Sequence, residues 1–466
     1  MASPDPLERL RAFRQAAHRC FTRRADALFD LADAVLTAGP VPSLAHLSLE
    51  PGHRRSWGSL YAALAKGRMD SHGLRKVVAH ESLDFGPPVF AIDCTSWARN
   101  DAEASPGRGY SYHPSRHSNG KPIVAGWSYS WVARLGPRGS SWTAPLDARR
   151  AYQGVDAYRA AGEQVALVLE RLPPGSPVPL FVFDGGYDPS RLARVADEDR
   201  AAVLVRVRHD RCFYRQAERV YNPKGGRPRR RGHKLKCDEP ETWPEPDANL
   251  AEEHEGYGRV RVRLWRGMHP KPRLDPRPGD TSDKPFVEGG LLLLEVAKLP
   301  RETMAPRAVW LWWRGPGEPD PALLWRAYVR RFDLEHTFRF IKQTLGWDRP
   351  RVRHPEQADR WTQLVILAFT QLRLARAVAG DERLPWQRPQ EAGRLTPSRT
   401  RRGFGRLLGR LGSPARGPKP CGRTSPGRPK GKVSGRAPRH PALNITTERR
   451  KAAGTSQRAR RPAGSG

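Results

Sequence analysis

The sequence predicts an α/β protein, and three observations carry that prediction. Two short apolar runs, Val89-Phe90-Ala91-Ile92 and Val178-Pro179-Leu180-Phe181-Val182-Phe183, each lead directly into an aspartate, Asp93 and Asp184. Continuous β-branched and aromatic runs of this length read as buried strands whose carboxylates emerge at the strand ends. Between the strands stand segments of helical period, the clearest across Val155–Leu172. Much later, Tyr328, Arg331, Glu335 and Lys342 are spaced by three, four and seven residues. At roughly 100° per residue they share one helical face, within an arc of about 60°. Leu334, Phe338, Ile341 and Leu345 form an adjoining apolar stripe that can dock this helix.

In chain order, residues 6–80 read as helical, with Leu7, Leu10, Phe13 and Ala17 and then Phe21, Leu28, Leu31 and Val35 near helical spacing. Residues 1–85 are therefore expected to form a helical domain. Its basic side chains and the run Trp57-Gly58-Ser59-Leu60-Tyr61 make it a possible DNA-binding domain. Strands follow at Val89–Thr95, Ile123–Leu135 and Ser141–Leu146, then the Val155 helix, the Asp184 strand, a helix from Ser190 and a strand at Ala202–Arg208. The order β-β-β-α-β-α-β fits a ribonuclease-H-like catalytic core over residues 86–378, in which the strands bearing Asp93 and Asp184 lie side by side. From about 216 to 300 the pattern changes to a mainly β insertion, delaying Glu335 by 151 residues after Asp184. The core resumes at Val309–Trp313, followed by the Tyr328–Lys342 helix and another across Arg360–Ala377. Residues 379–466 lose apolar periodicity and read as a basic low-complexity tail, disordered when free.

The chain has 466 residues and a formal net charge of +34. Residues 386–466 hold 21 Lys or Arg against 2 Glu, so more than half of the excess lies there. Such an excess points to a polyanionic partner, and nucleic acid is favoured over a membrane because runs such as Leu291–Leu294 are too short to span one. Met1-Ala2-Ser3-Pro4-Asp5 lacks the start of a signal peptide, so a cytoplasmic, nucleoid-associated protein is expected. Five scattered cysteines imply no disulfide framework. Cys212 and Cys237 with His209 and His233 match no common zinc spacing.

Cleavage and transfer of phosphodiesters use two divalent metals roughly 4 Å apart, and carboxylates are their natural ligands. Asp93, Asp184 and Glu335 supply three. Asp101 and Asp188 rank below them because they do not directly end the apolar runs. The Tyr-Arg-Glu-Lys spacing is that of the Y-(2)-R-(3)-E-(6)-K signature, and with it the chain resembles a bacterial insertion-sequence transposase of the DDE class over roughly residues 89–378. The resemblance implies that Asp93, Asp184 and Glu335 bind Mg2+, with Mn2+ able to substitute, and that Tyr328, Arg331 and Lys342 engage DNA phosphates. It further implies cleavage at the element ends, joining of the 3′ hydroxyls to target DNA, and a homodimer in the DNA complex. Trp243 and Trp265 are candidates to stack on a flipped base. The segment Ser105–His117 is a candidate groove-lining hairpin, without catalytic roles for His113 or His117. A nuclease without strand transfer and a non-catalytic transposase-derived DNA-binding protein are the alternatives.

Overall fold

A computed structural model describes residues 5–82, 88–112, 123–136, 140–151, 155–196, 199–217, 231–271, 287–299, 308–419, 435 and 437–443. The chain opens with α1 (Pro6–Arg19), β1 (Phe21–Arg23), α2 (Ala25–Thr37), α3 (Leu44–Leu47), α4 (Trp57–Lys66), β2 (Arg68–Met69) and α5 (Ser71–His80). It continues through β3 (Val89–Ala98), β4 (Gly109–Tyr112), β5 (Ile123–Leu135), β6 (Thr143–Arg150), α6 (Val155–Arg171), β7 (Leu180–Phe183), α7 (Pro189–Leu192) and β8 (Ala202–Val207). Next come β9 (Cys212–Gln216), β10 (Arg231–Lys236), β11 (Ala248–His254), β12 (Gly258–Pro270), β13 (Gly289–Val296) and β14 (Ala308–Arg314). The last elements are α8 (Pro321–Arg330), α9 (Phe332–Gln343), α10 (Pro355–Ala375) and α11 (Pro397–Leu411). The chain divides into two compact units: Met1–Gly86, Cys94–Ala157 and Glu335–Gly466 form one, Pro87–Asp93 and Tyr158–Leu334 the other.

The second unit is built on a mixed sheet. At its centre β7 runs parallel to the first half of β3 on one side and to β8 on the other. These three strands read as unbroken apolar runs because both faces are covered: Phe90, Ile92, Phe181, Phe183 and Leu204 are all fully buried. Beyond β8 the sheet continues antiparallel through β14, β13 and β12. Strand β11 pairs with β12, and β9 joins the end of β12 and carries β10. The β-rich stretch expected as an insertion therefore extends this sheet. Period-two alternation holds it there: Val260, Val262 and Leu264 are fully buried, while Arg259 and Arg261 are exposed.

In the first unit α10 is the central helix. It is apolar on nearly every side, buried from Trp361 to Leu372, and it packs against α1, α2, α4, α5 and α11. The N-terminal helices thus share their core with α10 and α11 and do not form a separate domain ending at 85. Arg14 of α1 donates to both carboxylate oxygens of Asp33 in α2 at 2.8 and 2.9 Å, to Gln371 of α10 and to the carbonyl of Gly412 just past α11. One guanidinium ties four helices together. A second cluster packs Trp97, Trp127, Trp131 and Trp347 edge to face, with Tyr129 beside them. Gly346, at φ +66°, turns the chain from α9 into Trp347 where a Cβ would lie 2.7 Å from the Val41 carbonyl oxygen.

Within the stretch expected as a disordered tail, residues 397–411 form helix α11. Helix α11 buries Phe404 and Leu407. Arg401 on the same helix is also buried, donating to the carbonyls of Val35 and Gly39 and so satisfying the C-terminal end of α2. Burial pushes its guanidinium down to about 10, still cationic at neutral pH. His113 and His117 lie outside the described residues.

Candidate active site

The parallel register pairs Val89 with Leu180 and ends at Ile92 opposite Phe183. The next residue on each strand is an aspartate. Asp93 and Asp184 therefore stand at neighbouring positions, just where burial falls off after Ile92 and Phe183. Neighbouring strands lie about 4.8 Å apart, close enough for two like charges to repel strongly unless a cation is supplied. Strand β7 does end at Phe183, but β3 runs on to Ala98, so Asp93 lies within its strand and not at its end.

The cation is Arg331. Its side chain is only 4% exposed, and its guanidinium lies 3.1 Å from Asp93 Oδ2 and 3.9 Å from Asp184 Oδ1. Local backbone explains how it gets there. The expected single helix over Tyr328–Lys342 is split into α8 and α9, with Arg331 at the break and its N–H donating to the carbonyls of both Ala327 and Tyr328. Arg331 keeps helical backbone angles there, φ −53° and ψ −31°, and from this position its guanidinium reaches the two carboxylates.

The remaining signature residues are placed differently. Tyr328 is buried in α8. Glu335 is half-buried on α9, at the start of the chain segment that belongs to the first unit. Lys342, also on α9, donates to the Ser96 carbonyl at 3.2 Å and lies over the Trp347 ring at 5.6 Å. Burial pushes its ammonium below the ordinary lysine value, and Asp348 partly restores it.

Several sequence candidates acquire other tasks. Asp188 caps α7 by accepting from the Ser190 N–H and pairs with Arg211 at 2.8 Å. Asp101 is exposed beyond β3 and lies 3.8 Å from Arg351. Trp265 is fully buried, its indole N–H donating to the Pro244 carbonyl, so it is a core residue with no face for a base. Trp243 is half-buried and packs edge-on against Trp265 and Trp310. The Arg331 bridge was missed by sequence reasoning; the signal that points to it is the same Arg spacing, which an ideal helix turns toward solvent.

Two adjacent carboxylates offer the hard oxygen donors that divalent cations of the magnesium type prefer, and the buried guanidinium already stands where positive charge is required. The pair therefore fits a divalent ion. Among the described residues there is no group of three or more His, Cys, Asp or Glu placed to hold one ion. Magnesium commonly keeps several waters and is bound through one or two carboxylates.

A mixed α/β fold with paired carboxylates beside its central parallel strands is compatible with metal-assisted phosphodiester chemistry. The DDE superfamily endonuclease family matches residues 17–271, more than half of the chain, and the chain belongs to that family. Membership makes it an enzyme of nuclease or transposase type, of a superfamily that generally uses divalent metals. The matched stretch includes Asp93 and Asp184 and stops short of Tyr328, Arg331, Glu335 and Lys342. No curated protein matches the chain. Among the described residues no helix is long and apolar enough to cross a membrane.

Proposed function

We propose that this chain is a transposase of the Y-(2)-R-(3)-E-(6)-K type, which cuts double-stranded DNA at the ends of its own element and joins the freed 3′ hydroxyls to target DNA. The observation that carries the reading is the Arg331 bridge: the arginine of that signature meets the two family-stretch aspartates at 3.1 and 3.9 Å. A simple nuclease requires the carboxylates but not this spacing of Tyr, Arg, Glu and Lys.

In this reading Asp93 and Asp184 bind Mg2+, or Mn2+ in its place, and Glu335 completes the carboxylate set. When bound, the ion supplies Lewis-acid stabilisation of charge on a phosphodiester oxygen. The protein's own residues do the rest. Arg331 neutralises the aspartates before loading and afterwards offers its planar N–H donors to a phosphate oxygen. Tyr328 and Lys342 engage the backbone of the element end. Two ends joined in one event call for a homodimer on the DNA, acting in the nucleoid.

The test uses purified protein, Mg2+ and a supercoiled plasmid carrying the parent element, beside Asp184→Asn and Glu335→Gln. Cuts at the element ends with joined products, lost in both variants, are expected. Cleavage without joining would replace the transposase with the nuclease, and undiminished joining by Glu335→Gln would remove that residue from the site.

A further inference from the structure

A second basic site lies outside the carboxylates, in the first unit. A cavity of about 450 Å³ is lined by Arg99, Arg351, Arg353 and Arg439, with Asp101 and Glu103 on its wall. Three separate chain segments supply the arginines. Arg99 follows β3, Arg351 and Arg353 sit two apart in the link between α9 and α10, and Arg439 comes from the C-terminal segment. Arg351 and Arg353 are both exposed, with the buried Val352 between them.

The C-terminal segment is docked by specific bonds. The His440 N–H donates to the Glu103 carbonyl at 2.7 Å, the Leu443 N–H donates to the Arg108 carbonyl at 2.7 Å, and the buried Arg108 returns a bond to the His440 carbonyl at 2.8 Å. Leu443 also bridges Gly109, at the start of β4, in parallel. Strand β4 is an edge strand. The segment covers part of that edge and in doing so carries Arg439 to the cavity.

Charge decides the ligand class. Arg351 meets Asp101 at 3.8 Å and Arg439 meets Glu103 at 3.1 Å, both pairs well exposed, with arginine side chains 86% and 65% open. Such pairs are weak and exchangeable. Arg99 and Arg353 donate instead to the backbone carbonyls of Val352 and Ala104. Four guanidinium groups against two carboxylates leave a net excess of positive charge in one open cavity, on a chain whose net charge is +34. Guanidinium forks match phosphate oxygens bidentately.

We propose that this cavity is a DNA-backbone phosphate site, completed by the docking of residues 437–443, so that the C-terminal segment is part of the DNA surface. The proposal rests on the reading of the chain as a DNA-acting enzyme. It is tested by fluorescence anisotropy on a labelled duplex in EDTA at several salt concentrations, with the full chain, Arg351→Ala/Arg439→Ala, and a chain ended after Gly435. The control is Arg394→Ala/Arg406→Ala, which removes two well-exposed arginines that also pair with carboxylates. The cavity variant should bind about tenfold more weakly near 0.1 M salt, and its slope of log affinity against log salt should shrink by about 2, roughly one per lost phosphate contact. The shortened chain, which loses Arg439 together with seven further Lys or Arg, should lose at least as much affinity, and the control should change far less.

Wild-type affinity in the cavity variant, or equal losses in the control, overturns the site. Calorimetry with inorganic phosphate separates the sources: heat lost in the cavity variant alongside unchanged duplex affinity would mean a small-phosphate site and sink the DNA assignment. Asp184→Asn should bind the duplex normally yet fail to cut it. Normal binding by the cavity variant of an enzyme that cuts DNA would therefore defeat this inference alone, whereas a wild type that binds but never cuts would defeat the proposed reaction and leave the cavity result standing.

Discussion

Two of the arginine–aspartate clusters among the described residues differ in how completely they are closed. At Arg14–Asp33 both side chains are 2% exposed, the fork is bidentate, and Gln371, the Gly412 carbonyl and the Ser413 hydroxyl fill further bonding positions. At Arg331 the arginine is as deeply buried, but Asp93 is 19% and Asp184 42% exposed, and the second contact opens to 3.9 Å. A saturated cluster has no use for another cation. A loose one, with carboxylate oxygens still facing water, can exchange its guanidinium for an ion. The same residue types thus serve as a clamp in one unit and as a receptive pair in the other.

The sharpest way to break the comparison is Arg14→Met. It leaves Asp33 buried without its fork, and loss of one partner of a buried pair costs about 3–5 kcal/mol. Urea unfolding should show that loss, and Arg14→Met with Asp33→Asn should recover part of it; a cost under about 1 kcal/mol would mean the cluster is no clamp. Removing α11 attacks the same core, so a chain ended after residue 395 should unfold at lower urea than one ended after 419. Asp184→Asn is expected to do the opposite of Arg14→Met. Its folding free energy should stay within about 1 kcal/mol, because the removed charge is partly solvated and has a like-charged neighbour. Mg2+ at about 100 times its dissociation constant should stabilise the wild type by about 2.7 kcal/mol, and this variant much less. Equal metal-dependent shifts in both proteins would show that the pair does not hold the ion.

How much of this was legible in the sequence follows the same division. The parallel strands announced themselves, because strands covered on both faces must be apolar without interruption, and the aspartates that end the burial follow from the same runs. The helix carrying the signature was visible too, but not the contact of Arg331 with Asp93 and Asp184, which depends on where distant strands lie and not on spacing along one helix. Helix α11 was invisible for a different reason. Its buried positions include Arg399 and Arg401, and an arginine enters a core only where distant carbonyls or carboxylates receive it, here Val35 and Gly39 for Arg401 and Asp381 for Arg399. Nothing near α11 in sequence reveals those acceptors. Strands β10 and β11 escaped detection because one is basic and the other acidic, and their hydrogen-bonded neighbours, not their own apolar content, hold them in the sheet.

A third pair separates burial from contact distance. One guanidinium nitrogen of Arg326 in α8 donates to both carboxylate oxygens of Glu252 in β11 at 2.9 and 2.8 Å, distances that match those of the Arg14 fork on Asp33. Its side chains, however, are 47% and 23% exposed. If short distances made the clamp, the two pairs should contribute alike. Water and salt should instead screen the outer one to about 0.2–1 kcal/mol, with most of that gone at high ionic strength. A double-mutant cycle of Arg326→Ala and Glu252→Ala, read by urea unfolding at low and high salt, measures the coupling directly. A coupling of several kcal/mol that survives high salt would show that short contacts, and not enclosure, separate the clamp from the exchangeable pair at Asp93 and Asp184, where the longer contacts would then carry the distinction by themselves.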